Sequence, residues 1–253
     1  PNKGCLFTPW KVVHMIEYWS SSPVFSELYA KSDLVVSIPH VLRWWYTSTI
    51  AIKQKIPAKM YIGIQPTEDS GIFVEEVICL NGTTSEYERV PVYDIFPRDK
   101  LDALSTSVVW LLKKLGLNWW YKIRLISDIK RWHGFGFMWT FCTLLTSSLY
   151  LYAWKLTSSD LNSYRSFVES DLFYEMIQDS LHLDKEWGGS PHGLLPYVWL
   201  TDSDEIYTKF WNAAITWKWS SSVLAFSDII GRTYSISDLP IDFGVISFGV
   251  QHD

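Results

Sequence analysis

An α+β fold, an antiparallel or mixed sheet packed with helices, follows from three features of this sequence. Short runs of alternating or β-branched residues, divided by turn signals, fill the first third. The apolar period then becomes helical between Leu101 and Leu115. After that a strand-like run, YKIRLIS (Tyr121–Ser127), leads through a glycine turn into a long apolar segment. There is no internal repeat and no low-complexity linker, so one unit is expected.

Taken in order, residues 1–27 read as an irregular lead-in with a turn at Ser20–Pro23. Tyr29–Ile38 is strand-like, and Pro39 should end it because proline cannot donate to a ladder. Ser48–Ile52 and Lys59–Ile64 read as two strands of one sheet, separated by a turn at Pro57. Ile72–Leu80 is a further strand, closed by the turn signal Asn81–Gly82. Connections this short favour antiparallel pairing. Leu101, Leu104, Val108, Leu111, Leu112 and Leu115 then mark one face of a helix, with Gly116 as its stop. Residues 160–181 read as another helix, capped by Ser159 or Asp160, with Phe167 and Leu172 inward. Gly188–Pro196 is a loop, residues 204–230 are helical in parts, and Ile241–Val250 is a closing strand.

The chain of 253 residues is 48% hydrophobic and 19% charged, with net charge −5. Its mean hydropathy is +0.03, as for an ordinary globular protein. The basic residues gather only at Lys53, Lys55 and Lys59 and at Lys113–Lys114, which does not make a nucleic-acid surface. Cys5, Cys79 and Cys142 are scattered and odd in number, so a reducing, cytoplasmic setting is expected and no disulfide framework. The opening residues lack the charged-then-apolar pattern of a signal peptide. Gly134–Trp154 is uncharged and long enough to span a bilayer, but its serines and threonines and its glycine start favour a helix buried on all sides of a soluble core. Fifteen tryptophans are present, several where a turn or small residue would be expected: Trp44–Trp45, Trp119–Trp120, Trp132 and Trp139.

Chemistry concentrates at Ser127–Trp154. Strand, glycine-rich loop, then helix is an arrangement that points backbone N–H groups and a helix dipole at an anion. Gly134 and Gly136 would let the backbone curl, and Thr140 would stand in the first helical turn. A tight turn into a buried helix would use the same glycines for steric reasons alone. Beside them, His133 suits either a phosphate contact or a turn cap. His182, Asp184, Glu186 and His192 form a loose acidic–imidazole group without the spacing of a structural zinc site, so a solvated loop is expected there. Asp202, Asp204 and Glu205 read as a helix N-terminus. The serines at 220–222 have no visible histidine and acid partners.

Three stretches together resemble the GHMP kinases, the small-molecule kinases that include galactokinase, homoserine kinase and mevalonate kinase. SDIKRWHGFGFMW is similar to that family's phosphate loop, S-D-I-P-x-G-x-G-L-G-S-S-A, with Ser127, Asp128, Ile129, Gly134 and Gly136 matching. Gly189-Ser190-Pro191-His192-Gly193 resembles the H-G-x-P-S-G-x-D loop, and LPIDFGVISFGVQHD resembles the strand near the end of the family's N-terminal half. YAKSDLVVSIPH is similar to the opening strand of the sugar-kinase branch. The resemblance covers about residues 28–253 and implies the fold of the GHMP N-terminal domain.

It further implies ATP and Mg2+ as cofactors and phosphorylation of a sugar or other small hydroxylated metabolite. Nucleotide would be held by His133, Gly134, Phe135, Gly136 and Thr140, and substrate by Ser190, His192 and Gly193. Asp184 or Glu186 would stand where an acidic residue completes the metal site. The departures are chemical. The two loop serines fall on Phe137 and Met138, and the expected catalytic aspartate falls on Leu195, so no residue takes the catalytic place. A catalytically silent relative that binds a small molecule or a protein is the alternative. The resemblance also implies a C-terminal half beyond Asp253, or a partner subunit over the face that half would cover.

Overall fold

The longest strand is the spine of the sheet. In the computed structural model, which describes residues 6–7, 22–47, 50–69, 72–81, 86–117, 120–129, 137–157, 170–187, 205–208 and 233–235, β3 (Ile50–Thr67) has neighbours on both sides. β2 (Leu34–Thr47) runs antiparallel along one side of it, with β1 (Leu6–Phe7) parallel to β2 beyond. The other side of β3 is shared. Its second half pairs antiparallel with β6 (Trp120–Ser127), and its first residues pair with β7 (Glu205–Thr208), which carries β8 (Thr233–Ser235). Beyond β6 lie β4 (Ile72–Asn81), parallel to it, and β5 (Glu86–Val90), antiparallel to β4. The α+β class with a mixed sheet is therefore the observed one.

The prolines expected to break strands do not. β2 passes through Pro39 and β3 through Pro57. Pro39 pairs with Lys59, whose backbone groups bond to Asp128 and ask no N–H of it, and the pairing then jumps to Val41↔Lys55. Pro57 thus falls in an irregularity where the ladder asks no N–H of it. Trp44 and Trp45 lie in β2 and Trp120 in β6, not in turns. At the start of the chain the lead-in gives way to α1 (Pro23–Ala30), whose Pro23 occupies a first-turn position that needs no N–H. Tyr29 and Ala30 thereby belong to a helix, and the strand begins at Leu34.

Alternation along the strands separates two faces. Met60, Ile62 and Ile64 of β3 and Tyr121, Ile123 and Leu125 of β6 face the main core. Tyr61 and Ile126 face the other way, under Phe25 and Leu28 of α1. β4 breaks its alternation between Val74 and Glu76, and the bulge sends Glu75 to Arg124 and Glu76 to Arg89.

The main face is covered by α3 (Arg98–Leu115), α4 (Phe137–Tyr152) and α5 (Asp171–Trp187), with the short α2 (Val92–Ile95) ahead of α3. α3 ends as expected at Gly116, at φ 72 in the left-handed region. α4 packs against β2 and β3 on one side and α5 on the other. From Thr140 to Leu151 every residue of α4 is buried, as a charge-free segment enclosed by a core requires. None of the described helices is long and apolar enough to cross a membrane. α5 is capped by Ser170, whose Oγ accepts the Phe173 N–H at 3.2 Å, while Ser159, Asp160 and the rest of the expected start lie outside the described residues. Leu172 is only half-buried, and Phe173, Met176, Ile177 and Leu183 form the inward face. Phe167, the loop Gly188–Pro196 and the strand Ile241–Val250 lie outside the described residues. Glu205 belongs to β7 rather than to a helix N-terminus, since EIYT has β-branched and aromatic residues suited to a ladder.

Candidate functional site

The site begins where β6 leaves the sheet. Ser127 is fully buried, and its Oγ donates to the Ile129 carbonyl at 2.6 Å and accepts the Ile129 N–H at 3.2 Å. This local turn directs the chain out of the strand. Asp128 carries on the ladder through its side chain, accepting the Lys59 N–H at Oδ2 (2.8 Å) and the Tyr87 hydroxyl at Oδ1 (2.5 Å). Burial raises the Asp128 pKa, and the Tyr87 and Lys59 donors oppose that rise. The Lys59 ammonium is shifted down by burial, against the pull of Asp128.

The chain returns as α4. Its first turn holds no acidic residue, so none of its own carboxylates offsets the positive end of the helix dipole. Phe137 is buried in the core and Met138 packs against it, so these positions contribute apolar contact. Thr140 is fully buried.

A polar stripe then runs between α4 and α5. Thr143 and Ser180 hydroxyls meet at 3.1 Å. The Tyr150 hydroxyl donates to Asp179 Oδ2 at 2.7 Å, and Lys114 of α3 reaches Asp179 at 2.7 and 2.8 Å and Glu175 at 3.0 Å. Burial would depress the Lys114 pKa, but its bonds to Asp179 and Glu175 outweigh that and leave it raised. Tyr150 is raised by burial first and by Asp179 second. Nearer the start of α4, burial pushes the Cys142 thiol well up, and the carboxylate of Asp184 adds to the shift. Asp184 is 4% exposed, and its charge is felt at Cys142, so it lies on the side of α5 that meets α4.

Of the residues expected from sequence, the structure therefore brings Asp184 under α4, in whose first turn Thr140 stands. Glu186 is exposed, because two positions along a helix put a side chain on the far face. Asp184 and Glu186 consequently do not act together. His182 is also on α5 rather than in a loop, its ring tilted against Trp110 with centroids 4.7 Å apart. His133, Gly134, Phe135, Gly136, Ser190, His192, Gly193, Leu195 and the serines at 220–222 lie outside the described residues. Among the described residues no cluster of three or more His, Cys, Asp or Glu side chains suited to a metal is present. Sequence reasoning missed Tyr87 and Lys59 as partners of Asp128, and Cys142 as the neighbour of Asp184. No sequence spacing joins residues brought together by β3, β5 and β6.

No family profile matches this chain, and no curated protein sequence matches it. Solved structures resemble it weakly. Streptococcus pneumoniae phosphomevalonate kinase, solved with phosphomevalonate and AMPPNP, is 10% identical, with 80% of this chain and 58% of that one covered at a TM-score of 0.47. L. major mevalonate kinase, solved with R-mevalonate, is 14% identical over 68% of this chain and 48% of its own, at 0.47. The Methanococcus jannaschii mevalonate kinase is 12% identical over 69% and 53%, at 0.42. The chain thus spans about half the length of these kinases.

Proposed function

We propose that this chain carries the nucleotide site of a small-molecule kinase of the GHMP type, phosphorylating a hydroxyl of a sugar or another small hydroxylated metabolite with ATP. The observation that supports it is the buried carboxylate of Asp184, near Cys142 on the helix that follows the glycine-bearing connection. Phosphoryl transfer asks a protein mainly for positioning and for neutralisation of charge. The start of α4, free of acidic residues, suits the phosphates. Asp184 would supply one hard oxygen ligand, and Mg2+ in such sites is commonly held by one or two carboxylates together with substrate phosphates. The residues present therefore fit a magnesium ion that arrives with the nucleotide. Bound there, it would offset phosphate charge, while Thr140 would add a hydroxyl to the first turn.

Phe137 and Met138 favour a second reading, a relative that binds nucleotide without turnover. Both are apolar packing residues where the family's loop carries hydroxyls. Thermal unfolding with and without Mg-ATP tests the part common to both readings. A ligand at a hundred times its dissociation constant stabilises by about 2.7 kcal/mol. Phosphate transfer to a panel of sugars and small alcohols then separates them, since measurable turnover removes the silent reading.

A further inference from the structure

We propose that Asp128 is a positioning residue that fixes the exit of β6 and thereby sets the start of the connection to α4. What that connection binds rests on the kinase reading above; the positioning itself does not. Asp128 is the first residue past β6, and it bonds to both main-chain groups of Lys59. Its N–H donates to the Lys59 carbonyl at 2.9 Å, and its Oδ2 accepts the Lys59 N–H at 2.8 Å. The side chain thus stands in for a ladder carbonyl, extending the β3–β6 pairing one residue past Met60↔Ser127.

The second carboxylate oxygen reaches across the sheet to the Tyr87 hydroxyl on β5. Tyr87 is held in turn by Phe25 of α1, edge-on at 5.4 Å, and Phe25 also meets Tyr61 at 4.8 Å. One side chain therefore joins β3, β5 and β6 at the point where the chain leaves the sheet, with α1 bracing the joint. Among the described residues, the charged and titratable groups facing it are the Lys59 ammonium from β3 and the Tyr87 phenol from β5. Burial makes its ionised form costly, so acceptor geometry matters here more than charge. An asparagine can keep the Lys59 bond through its amide oxygen and turn its amide N–H to the Tyr87 oxygen.

The test uses the full chain with Asp128→Ala, Asp128→Asn and Tyr87→Phe. Backbone hydrogen exchange without nucleotide is the first readout. Asp128→Ala should speed exchange of the Lys59, Asp128 and Ile129 amides by about tenfold, the loss expected from a net hydrogen bond or two, while α5 amides keep their wild-type rates. Asp128→Asn should restore the wild-type rates. Tyr87→Phe, which keeps the Lys59 bonds, should fall between. Unchanged exchange in both Asp128→Ala and Tyr87→Phe, or failure of Asp128→Asn to restore it, overturns the proposal. Mg-ATP affinity is the second readout, expected to weaken about tenfold in Asp128→Ala and to recover in Asp128→Asn. A wild-type chain that does not bind Mg-ATP contradicts the kinase reading, and exchange then decides the positioning role alone.

Discussion

Replacing Trp154 by glycine should stabilise this protein. α3 and α4 close in the same way, each with the paired backbone bonds of a Schellman motif. In α3 these run from Gly116 to Lys113 at 3.1 Å and from Leu117 to Leu112 at 2.9 Å. In α4 they run from Trp154 to Leu151 at 3.1 Å and from Lys155 to Tyr150 at 3.0 Å. The residue in the left-handed position is glycine in α3, at φ 72, but tryptophan in α4, at φ 57. An L-residue there costs about 1–2 kcal/mol, and glycine returns about 0.5–1 kcal/mol of that through its freer unfolded chain. The Trp154 side chain offsets little, since it is 81% exposed. Trp154→Gly should therefore gain about 1 kcal/mol, or about 2–4 °C in Tm for a chain of this size. Trp154→Ala separates strain from lost contact, because alanine keeps the strain. Urea unfolding followed by far-UV circular dichroism should place the alanine variant near wild type and the glycine variant above both. A glycine variant no more stable than the alanine variant would refute the reasoning.

Other expectations follow from packing and charge. A Cβ on Gly63 would stand 2.2 Å from Ser32 Oγ and 2.7 Å from Leu28 Cδ1, so Gly63→Ala should lose about 1–3 kcal/mol by overpacking α1 against β3, read as a lower urea midpoint. Asp179→Ala strands Lys114 and the Tyr150 hydroxyl at the meeting of three helices. Because Lys114 is partly exposed and keeps Glu175, the loss should be about 2 kcal/mol rather than that of a fully buried pair, and a variant as stable as wild type would show the network to be idle. Stability should also fall in alkali. Burial raises the phenol pKa of Tyr121, and of Tyr150 with help from Asp179, above their ordinary 10.0. The folded state thus holds these protons more tightly than the unfolded chain does. Their contribution is complete below about pH 10 and is lost as pH rises beyond it, so the urea midpoint should be level from about pH 7 to 9 and drop above 10.

β4, β6 and the helical layer of α3, α4 and α5 could be read from residue patterns, while β1, β5, β8 and α1 could not. Leu101 to Leu115 with Gly116, the run Tyr121–Ser127 and the uncharged Gly134–Trp154 each carry a local signal strong enough to survive folding. The errors came where pairing overrode local chemistry. Pro39 and Pro57 look like strand ends, but Pro57 falls in a register break, and Pro39 faces Lys59, whose backbone groups turn to Asp128 instead. Glu205 follows acidic residues that suggest a helix start, yet its segment is captured by the free first half of β3. The pattern names Asp184 and Glu186 alike, because which of them is buried depends on the face of α5 that meets α4. The Asp128–Tyr87–Lys59 joint spans three strands and leaves no trace in sequence spacing. Nor does any sequence feature announce that α4 turns at Trp154, since the expected glycine is absent.

The kinase reading is tested most directly by titrating Mg-ATP into wild type and Asp184→Asn and following thermal unfolding. The buried position of Asp184 against α4 leads to a clear pattern. Wild type should be stabilised by Mg-ATP, by about 2.7 kcal/mol at a hundredfold excess over its dissociation constant. The effect should be weaker when magnesium is withheld. Asp184→Asn should remain folded and lose the magnesium-dependent part. No stabilisation of wild type at millimolar Mg-ATP would contradict a nucleotide site, and an equal, magnesium-dependent shift in Asp184→Asn would contradict the role given to Asp184.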